Sequence, residues 1–166
     1  MGILNRITTF LFVYTNIVIK FEVMSDKSDT YCSCLYFSAN AFSRALTRIA
    51  EEEFSITGIA PSYAFVLMTI NDSPGIHPMA ISEIMMLNPS TITRFIEKLE
   101  ARGYLTREIK GKFTEVYPTD KSRRLQVNLH KAWENLFRRY AAVLGESHSR
   151  LLTMTISEAT KKLGSK

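Results

Sequence analysis

The segment from Asn88 to Leu105 carries the side chains best suited to contact a charged partner. Its hydroxyl and basic side chains are closely spaced, and they are Ser90, Thr91, Thr93, Arg94 and Lys98. Hydroxyls near a helix N-terminus, followed by Arg and Lys, suit the phosphate oxygens and base edges of a DNA major groove. An ordinary amphipathic surface helix shows the same pattern. This segment alone supports the two interpretations equally.

A helix must position these side chains, and its start, inner face and end can all be identified. Asn88 is a good N-cap, and Pro89 occupies the first helical position, where a missing N–H costs nothing. Gly103 supplies the stop. One apolar stripe follows the i, i+3, i+4 and i+7 spacing and consists of Ile92, Phe95, Ile96 and Leu99. The hydroxyl and basic side chains therefore belong to the opposite face.

A short β-hairpin is predicted directly after this helix. From Leu105 to Ile109 the residues Leu, Arg and Ile alternate with polar residues, and Lys110-Gly111-Lys112 forms a tight, doubly basic turn. The second strand runs from Phe113 to Tyr117, and Pro118 ends it. A helix followed by a basic-tipped hairpin is the order of a winged helix-turn-helix. The helix would enter the major groove, and the wing would lie along the backbone or the adjacent minor groove.

Two shorter helices are predicted upstream. Residues 61–71 are apolar around most of the helix circumference, which predicts burial. After a loop at residues 72–75, a second helix covers residues 79–87, with Ile81, Ile84 and Met85 facing inward. Only the Asn88-Pro89 turn separates this helix from the next, as a helix-turn-helix requires.

From residue 35 to residue 163 the chain resembles the MarR-type winged-helix transcription regulators. The most specific block is Ser90 to Leu105, supported by the run Met79 to Ile84 and by Thr119-Asp120-Lys121-Ser122 after the wing. The resemblance implies a two-fold dimer, DNA binding through helix and wing, and release of DNA by a small ligand or by thiol oxidation. Wings of that family usually carry an Asp-x-Arg element whose Arg enters the minor groove. Here the tip is Lys110-Gly111-Lys112, which has no Arg.

The predicted fold class is therefore all-α with a small β-wing, in which terminal dimerisation helices flank a winged helix-turn-helix core. The MarR-type domain is expected over residues 31–163. Within it, residues 61–118 form the winged helix-turn-helix, and residues 31–54 and 119–163 form the dimerisation helices.

Positive charge is concentrated in and around the predicted recognition helix and wing. The chain has a net charge of +5, and residues 89–131 hold ten Lys and Arg against five Asp and Glu. The remainder is balanced at eleven against eleven. Such a local excess of positive charge is typical of a surface that binds nucleic acid. A cluster of charged residues is, however, more often simply a solvent-exposed face. The side chains expected to hold phosphates are Lys98, Lys110, Lys112, Ser122 and Arg123.

Both ends of the expected domain have the spacing of helix-packing seams. The N-terminal seam consists of Cys32, Leu35, Ala39, Phe42, Leu46 and Ile49. The segment after Thr119 repeats it with Leu125, Leu129, Trp133, Leu136, Tyr140 and Val143. A last helix after Gly145 carries Leu152, Ile156, Ala159 and Leu163. These seams would suit packing within one chain, but the excess of apolar side chains favours a homodimer.

Residues 1–23 form an apolar N-terminal extension that does not match the rest of the chain. Polar interruptions at Asn16, Lys20 and Glu22 argue against a transmembrane helix, so no membrane partner is expected. Met24 opens a polar stretch. Either Met24 is the physiological start, or the extension covers part of the dimer.

Cys32 and Cys34 are the only thiols of the chain. A C-x-C pair on a helix points its side chains to different faces and forms a poor disulfide. Burial in packing is the favoured interpretation, and redox sensing across the dimer seam is the alternative. The three His residues are far apart, without metal-ligand spacing, so neither a metal nor a cofactor is expected.

No motif for catalysis is found, so an enzyme is not expected. The predicted function is sequence-specific, cytoplasmic transcription regulation: a dimeric repressor binds a pseudo-palindromic operator in double-stranded DNA and responds to a small-molecule effector or to oxidation. The alternative is a winged-helix protein-interaction module that has lost DNA binding, which the Lys-only wing favours.

Overall fold

The computed structural model describes residues 31–164, which form six helices and one hairpin. A single turn of 3₁₀ helix at Ser55–Thr57 follows the first helix. The elements are α1 (Leu35–Phe54), α2 (Pro61–Asp72), α3 (Pro78–Met85), α4 (Pro89–Ala101), β1 (Leu105–Lys110), β2 (Phe113–Pro118), α5 (Asp120–Leu144) and α6 (Glu146–Gly164). The predicted extension at residues 1–23 lies outside the described residues.

The chain divides into two units, with the boundary between Ala45 and Leu46, inside α1. The described part of the first unit is residues 31–45, which include the N-terminal half of α1. Leu35, Tyr36 and Phe37 are exposed there. Among the described helices, none alone has the length and apolar character to cross a membrane. Within residues 31–164, the bent pair Leu35–Thr57 and Pro61–Asp72 passes that test when the two helices are taken together, as the core helix of a folded domain also can.

The second unit is organised around α2, which is buried on most of its circumference. Five of its side chains are buried, and they are Ala64, Val66, Leu67, Met68 and Ile70. Ile81 from α3, Leu129 from α5 and the apolar stripe of α4 join the same core. Each fully buried aliphatic side chain contributes about 1.5–3 kcal/mol relative to an exposed one. The core therefore fixes the face that each surrounding helix turns outward.

Both ends of α4 are capped by the residues that the sequence predicts. Asn88 Oδ1 accepts a hydrogen bond from the Ser90 N–H at 3.3 Å, and Pro89 occupies the first helical position. At the other end, Gly103 has φ +72°, its N–H donates to Glu100 O, and the Tyr104 N–H donates to Leu99 O. This pair of bonds is a Schellman motif, which requires a residue with positive φ, a conformation that glycine adopts without strain.

The wing is an antiparallel hairpin whose register runs from Leu105 opposite Pro118 to Lys110 opposite Phe113. Its base is fixed to the loop before α3, because Ile76 forms a β-bridge with Val116. The Gly75 N–H also donates to Val116 O at 2.8 Å. Gly75 has φ +87°, and a Cβ added there would lie 3.1 Å from Tyr117 Oη. The wing is therefore attached to the core through a position that requires glycine.

The observed elements match the predicted ones, except that α3 ends at Met85, two residues before the predicted end, and that two local predictions fail. Ile84 does not face inward, because its side chain is 59 % exposed. The inward face of α3 is centred on Ile81, Ser82 and Met85, and Ile84 lies roughly 100° around the helix from that centre. Cys32 and Cys34 are not on a helix either, since α1 begins at Leu35. The prediction that these cysteines are buried is wrong, because both are exposed.

We predict that Gly75→Ala destabilises the protein more than Gly111→Ala. Both glycines have positive φ, so each substitution should cost about 1–2 kcal/mol in backbone strain. At Gly75 the added methyl also meets the Tyr117 hydroxyl, whereas nothing lies within 4 Å of the position at Gly111. Displacing Tyr117 should add about 1 kcal/mol or more. Urea unfolding of both variants measures the difference, and equal midpoints would contradict the role assigned to Gly75.

Candidate nucleic-acid interface

The outer face of α4 presents polar and basic side chains as an exposed surface. Ile92, Ile96 and Leu99 are fully or almost fully buried, which turns the opposite side of the helix to solvent. Ser90, Thr93, Arg94 and Lys98 are exposed there, and Thr91 is half-buried. Within residues 31–164, the side chain of Arg94 makes no hydrogen bond or ion pair. Its guanidinium therefore keeps all of its donors available for an external acceptor.

Two hydroxyls of this face already donate within the helix. Ser90 Oγ donates to Asn88 Oδ1 at 3.3 Å, and Thr93 Oγ1 donates to Pro89 O at 3.0 Å. Each hydroxyl oxygen keeps acceptor capacity, so it can still receive a hydrogen bond from an amino group of a base. The first turn of α4 can thus accept hydrogen bonds, while Arg94 can only donate them.

Lys98 and Arg107 lie on the flanks of α4. The Lys98 ammonium is 5.9 Å from the centroid of the Tyr63 ring, and Tyr63 stacks on Phe95 with centroids 4.3 Å apart. Arg107 of β1 donates to Glu100 Oε2 at 2.5 Å, and this hydrogen bond raises the pKa of the guanidinium. Arg107 therefore attaches the wing to α4, whereas Lys98 stays exposed beside an aromatic ring.

Lys110 does not extend from the wing tip as a free cation. Its Nζ lies 2.7 Å from Glu115 Oε2, 2.7 Å from Tyr117 Oη and 3.9 Å from Glu108 Oε2. The hydrogen bonds that Lys110 donates to Glu115 and Tyr117 raise the pKa of Lys110 well above its usual value. The same bond to Lys110, together with one from Tyr117, lowers the pKa of Glu115. These contacts weaken the predicted phosphate role of Lys110, because its charge is already matched by two carboxylates.

The exposed wing tip is partly apolar, a feature not predicted from the sequence. Lys112 is exposed and forms no ion pair among the described residues. Beside it, Ile109 is 82 % and Phe113 66 % exposed. Apolar side chains at such a tip can pack against sugars or wedge between base steps. Strand alternation could have identified Ile109, which continues the face of Leu105 and Arg107 beyond the edge of the core.

The prediction that Ser122 binds phosphate is wrong. Ser122 is fully buried, and its hydroxyl donates to Asn71 Oδ1 at 2.6 Å. Asn71 in turn donates to Gln126 Oε1 at 2.5 Å. Ser122 therefore links α5 to α2, because it occupies the face of α5 that packs on the core. Arg123, the next residue, is exposed and retains its predicted phosphate role as a prediction.

A groove of about 720 Å³ lies between α5 and α6, away from α4 and the wing. Its α5 side is aromatic, and Trp133 is 50 % exposed there. The lining residues are Trp133, Glu134, Phe137, Arg138, Tyr140, Arg150, Thr153 and Met154. The described residues contain no group of three or more His, Cys, Asp and Glu side chains that could hold a metal ion.

Comparison with known proteins confirms the resemblance to the MarR family. The MarR family model matches residues 59–111, which include α2, α3, α4 and β1. The chain is also 27 % identical over 95 residues to the uncharacterized HTH-type transcriptional regulator YybA of Bacillus subtilis (strain 168). That match covers 55 % of this chain and 63 % of YybA, so it spans less than two thirds of the relative. The matched proteins are transcription regulators and not enzymes.

Solved structures confirm the winged helix-turn-helix fold. A mutant of MarR from E. coli, in complex with operator DNA, superposes with a TM-score of 0.70 at 16 % identity and covers 81 % of this chain and 99 % of that one. A MarR family regulator from Listeria monocytogenes, in complex with a 26mer DNA, gives a TM-score of 0.64 at 21 % identity. It covers 78 % of this chain and 88 % of that one.

We predict that Lys110→Gln raises the pKa of the Glu115 carboxyl toward its ordinary value. The lowered pKa depends first on the hydrogen bond from Lys110, so the pairing is present at neutral pH and is lost as pH falls through that pKa. Carbon-detected NMR titration of Glu115 measures the change. Lys112→Gln is the matched control, since it removes an equal charge from the same turn without touching Glu115. An unchanged pKa in Lys110→Gln would contradict the pairing.

Proposed function

We propose that this chain, a winged-helix protein similar to the MarR-family transcription regulators, binds specific sequences in double-stranded DNA and regulates transcription in the cytoplasm. In this proposal α4 enters the major groove, and the wing lies against the neighbouring backbone. Ser90, Thr91, Thr93 and Arg94 approach base edges, while Lys98, Lys112 and Arg123 hold phosphates. The similar structures that contain DNA support this assignment by analogy of fold.

The observation that carries the proposal is the unpaired Arg94 on the outer face of α4. An exposed guanidinium that makes no hydrogen bond or ion pair within the described residues does not hold two elements together. A planar donor fork at that point of a helix matches the O6 and N7 acceptors of guanine. The contrast with Arg107 supports this interpretation, because Arg107 is paired with Glu100 and attaches the wing.

The proposal includes a homodimer formed through the terminal helices, so that two copies of α4 meet a pseudo-palindromic operator. Its support is the large number of exposed apolar side chains on α6, which are Leu151, Met154, Ile156 and Leu163. Val143, at the end of α5, is 83 % exposed. A large amount of exposed apolar surface on a folded protein favours an interaction site. Repression, and a response to an effector or to oxidation of Cys32 or Cys34, remain predictions from the resemblance.

Titration against DNA over a range of salt concentrations tests the proposal. The first probe is a duplex recovered by selection from a randomised library, and the second is its scrambled counterpart. If about six phosphates are neutralised, the log–log slope of affinity against salt should be near −5. Arg94→Ala should cost about 1–3 kcal/mol on the selected duplex and much less on the scrambled one. Lys112→Ala should weaken both duplexes equally and reduce the slope by about one unit.

A flat salt response together with failure to select any sequence would refute DNA binding. That result would favour the alternative of a protein-interaction module, which the pairing of Lys110 with Glu115 also favours. Equal weakening of both duplexes by Arg94→Ala would make Arg94 a phosphate contact. Specificity would then depend on Ser90, Thr91, Thr93 or DNA shape.

We also predict that Leu151→Glu together with Leu163→Glu yields folded monomers. Both leucines are exposed in the single chain, so the charges should be tolerated there but would be buried without partners in the dimer. Light scattering gives the mass, and circular dichroism checks the fold. The control is Thr155→Glu, which adds a charge to an exposed polar position of the same helix. A double variant that remains dimeric would exclude α6 from the interface.

A further inference from the structure

The C-terminal end of α4 is attached to the beginning of α5 by three hydrogen bonds. Lys121 Nζ donates to Arg102 O at 2.7 Å. Thr119 Oγ1 donates to Gly103 O at 2.8 Å, and the Thr119 N–H donates to Tyr104 O at 3.1 Å. The last carbonyls of a helix have no partner within the helix itself. At α4 the Leu99 and Glu100 carbonyls accept within the Schellman motif, and the carbonyl of the C-cap residue Arg102 accepts from Lys121 in the segment that follows the wing.

Tyr104 lies at the centre of this attachment. Lys121 Nζ is 4.3 Å from the centroid of its ring, and the Arg102 guanidinium carbon is 5.4 Å from the same centroid. Arg102 also donates to Gly58 O at 2.9 Å, so it reaches the 3₁₀ turn after α1. Tyr104 itself is buried. Two cations thus contact one aromatic ring at the end of the helix, a favourable arrangement for both charges.

We propose that Lys121 is a positioning residue for DNA recognition. By holding the Arg102 carbonyl and the Tyr104 ring, it fixes the angle at which α4 projects from the core. Its ammonium also offsets the negative end of the helix dipole. This inference deepens the proposed function and rests on it, because the angle of α4 matters only if its outer face contacts DNA.

Two features of the geometry favour this role over a direct phosphate contact, although the Lys121 side chain is exposed. The Lys121 ammonium is engaged by a carbonyl at 2.7 Å and by a ring at 4.3 Å, so it is already partnered within the protein. It also lies at the end of α4 remote from Asn88, about 20 Å along a helix of this length. The side chains expected to reach bases are all in the first half of that helix.

The test compares Lys121→Gln with two matched variants. Lys121→Arg keeps a cation able to reach both the carbonyl and the ring, and should restore wild-type behaviour. Lys131→Gln removes an equal charge from an exposed position further along α5 and should behave as wild type. The first measurement uses the free protein. Amide hydrogen exchange at Tyr104 and Thr119 should be about tenfold faster in Lys121→Gln than in the other proteins.

The second measurement uses the selected and scrambled duplexes. Lys121→Gln should bind the selected duplex about fivefold more weakly and the scrambled one with little change, because a misdirected helix loses base contacts before phosphate contacts. The salt slope should not change. A slope smaller by about one unit, with both duplexes weakened equally, would mean that Lys121 contacts phosphate and would overturn the proposal.

The remaining outcomes are also decisive. Unchanged exchange in Lys121→Gln would show that the attachment does not depend on Lys121. Faster exchange with unchanged discrimination between the duplexes would reduce Lys121 to a structural residue. If the wild-type protein selects no sequence, the proposed function itself fails, and the exchange data still report separately on the attachment.

Discussion

The burial of one stripe of α4 is the constraint on which the rest of the structure depends. Ile92, Ile96 and Leu99 are removed from water against α2 and the elements around it. Since an α-helix has a fixed twist, burying these three positions decides which side chains face solvent. The exposure of Arg94 and Thr93 is a consequence of that packing. The C-terminal end of the same helix is held in place by the Schellman motif at Gly103 and by hydrogen bonds from the segment after the wing.

Charge in this molecule is used for two different purposes. Arg107, Lys110 and Lys121 hold elements together, through Glu100, Glu115 and the carbonyl of Arg102. Arg94, Lys112 and Arg123 are exposed and make no ion pair within the described part of the chain. The basic excess of residues 89–131 therefore overstates the charge offered to a partner. The wing in particular presents Lys112 between two exposed apolar side chains.

The fold could be predicted from sequence because its signals are local and agree with one another. The cap at Asn88, the Pro at the first helical position, the stripe spacing and the glycine after the helix all indicate the same helix. The candidate site was predicted less completely. Ser122 has the residue type of a phosphate contact, but it is buried against Asn71. Lys110 is at the predicted turn, but the strand register brings Glu115 and Tyr117 to its ammonium.

The sequence by itself determined the order of the elements, the inner face of α4 and the residues that could contact DNA, because periodicity and capping act over a few neighbouring residues. Only the tertiary structure decided which of those residues remain available. Ser122 is buried by Asn71, 51 residues away in the chain, and Lys121 is held by Arg102, 19 residues away. Such pairings depend on how helices and strands pack in space, which no local pattern specifies.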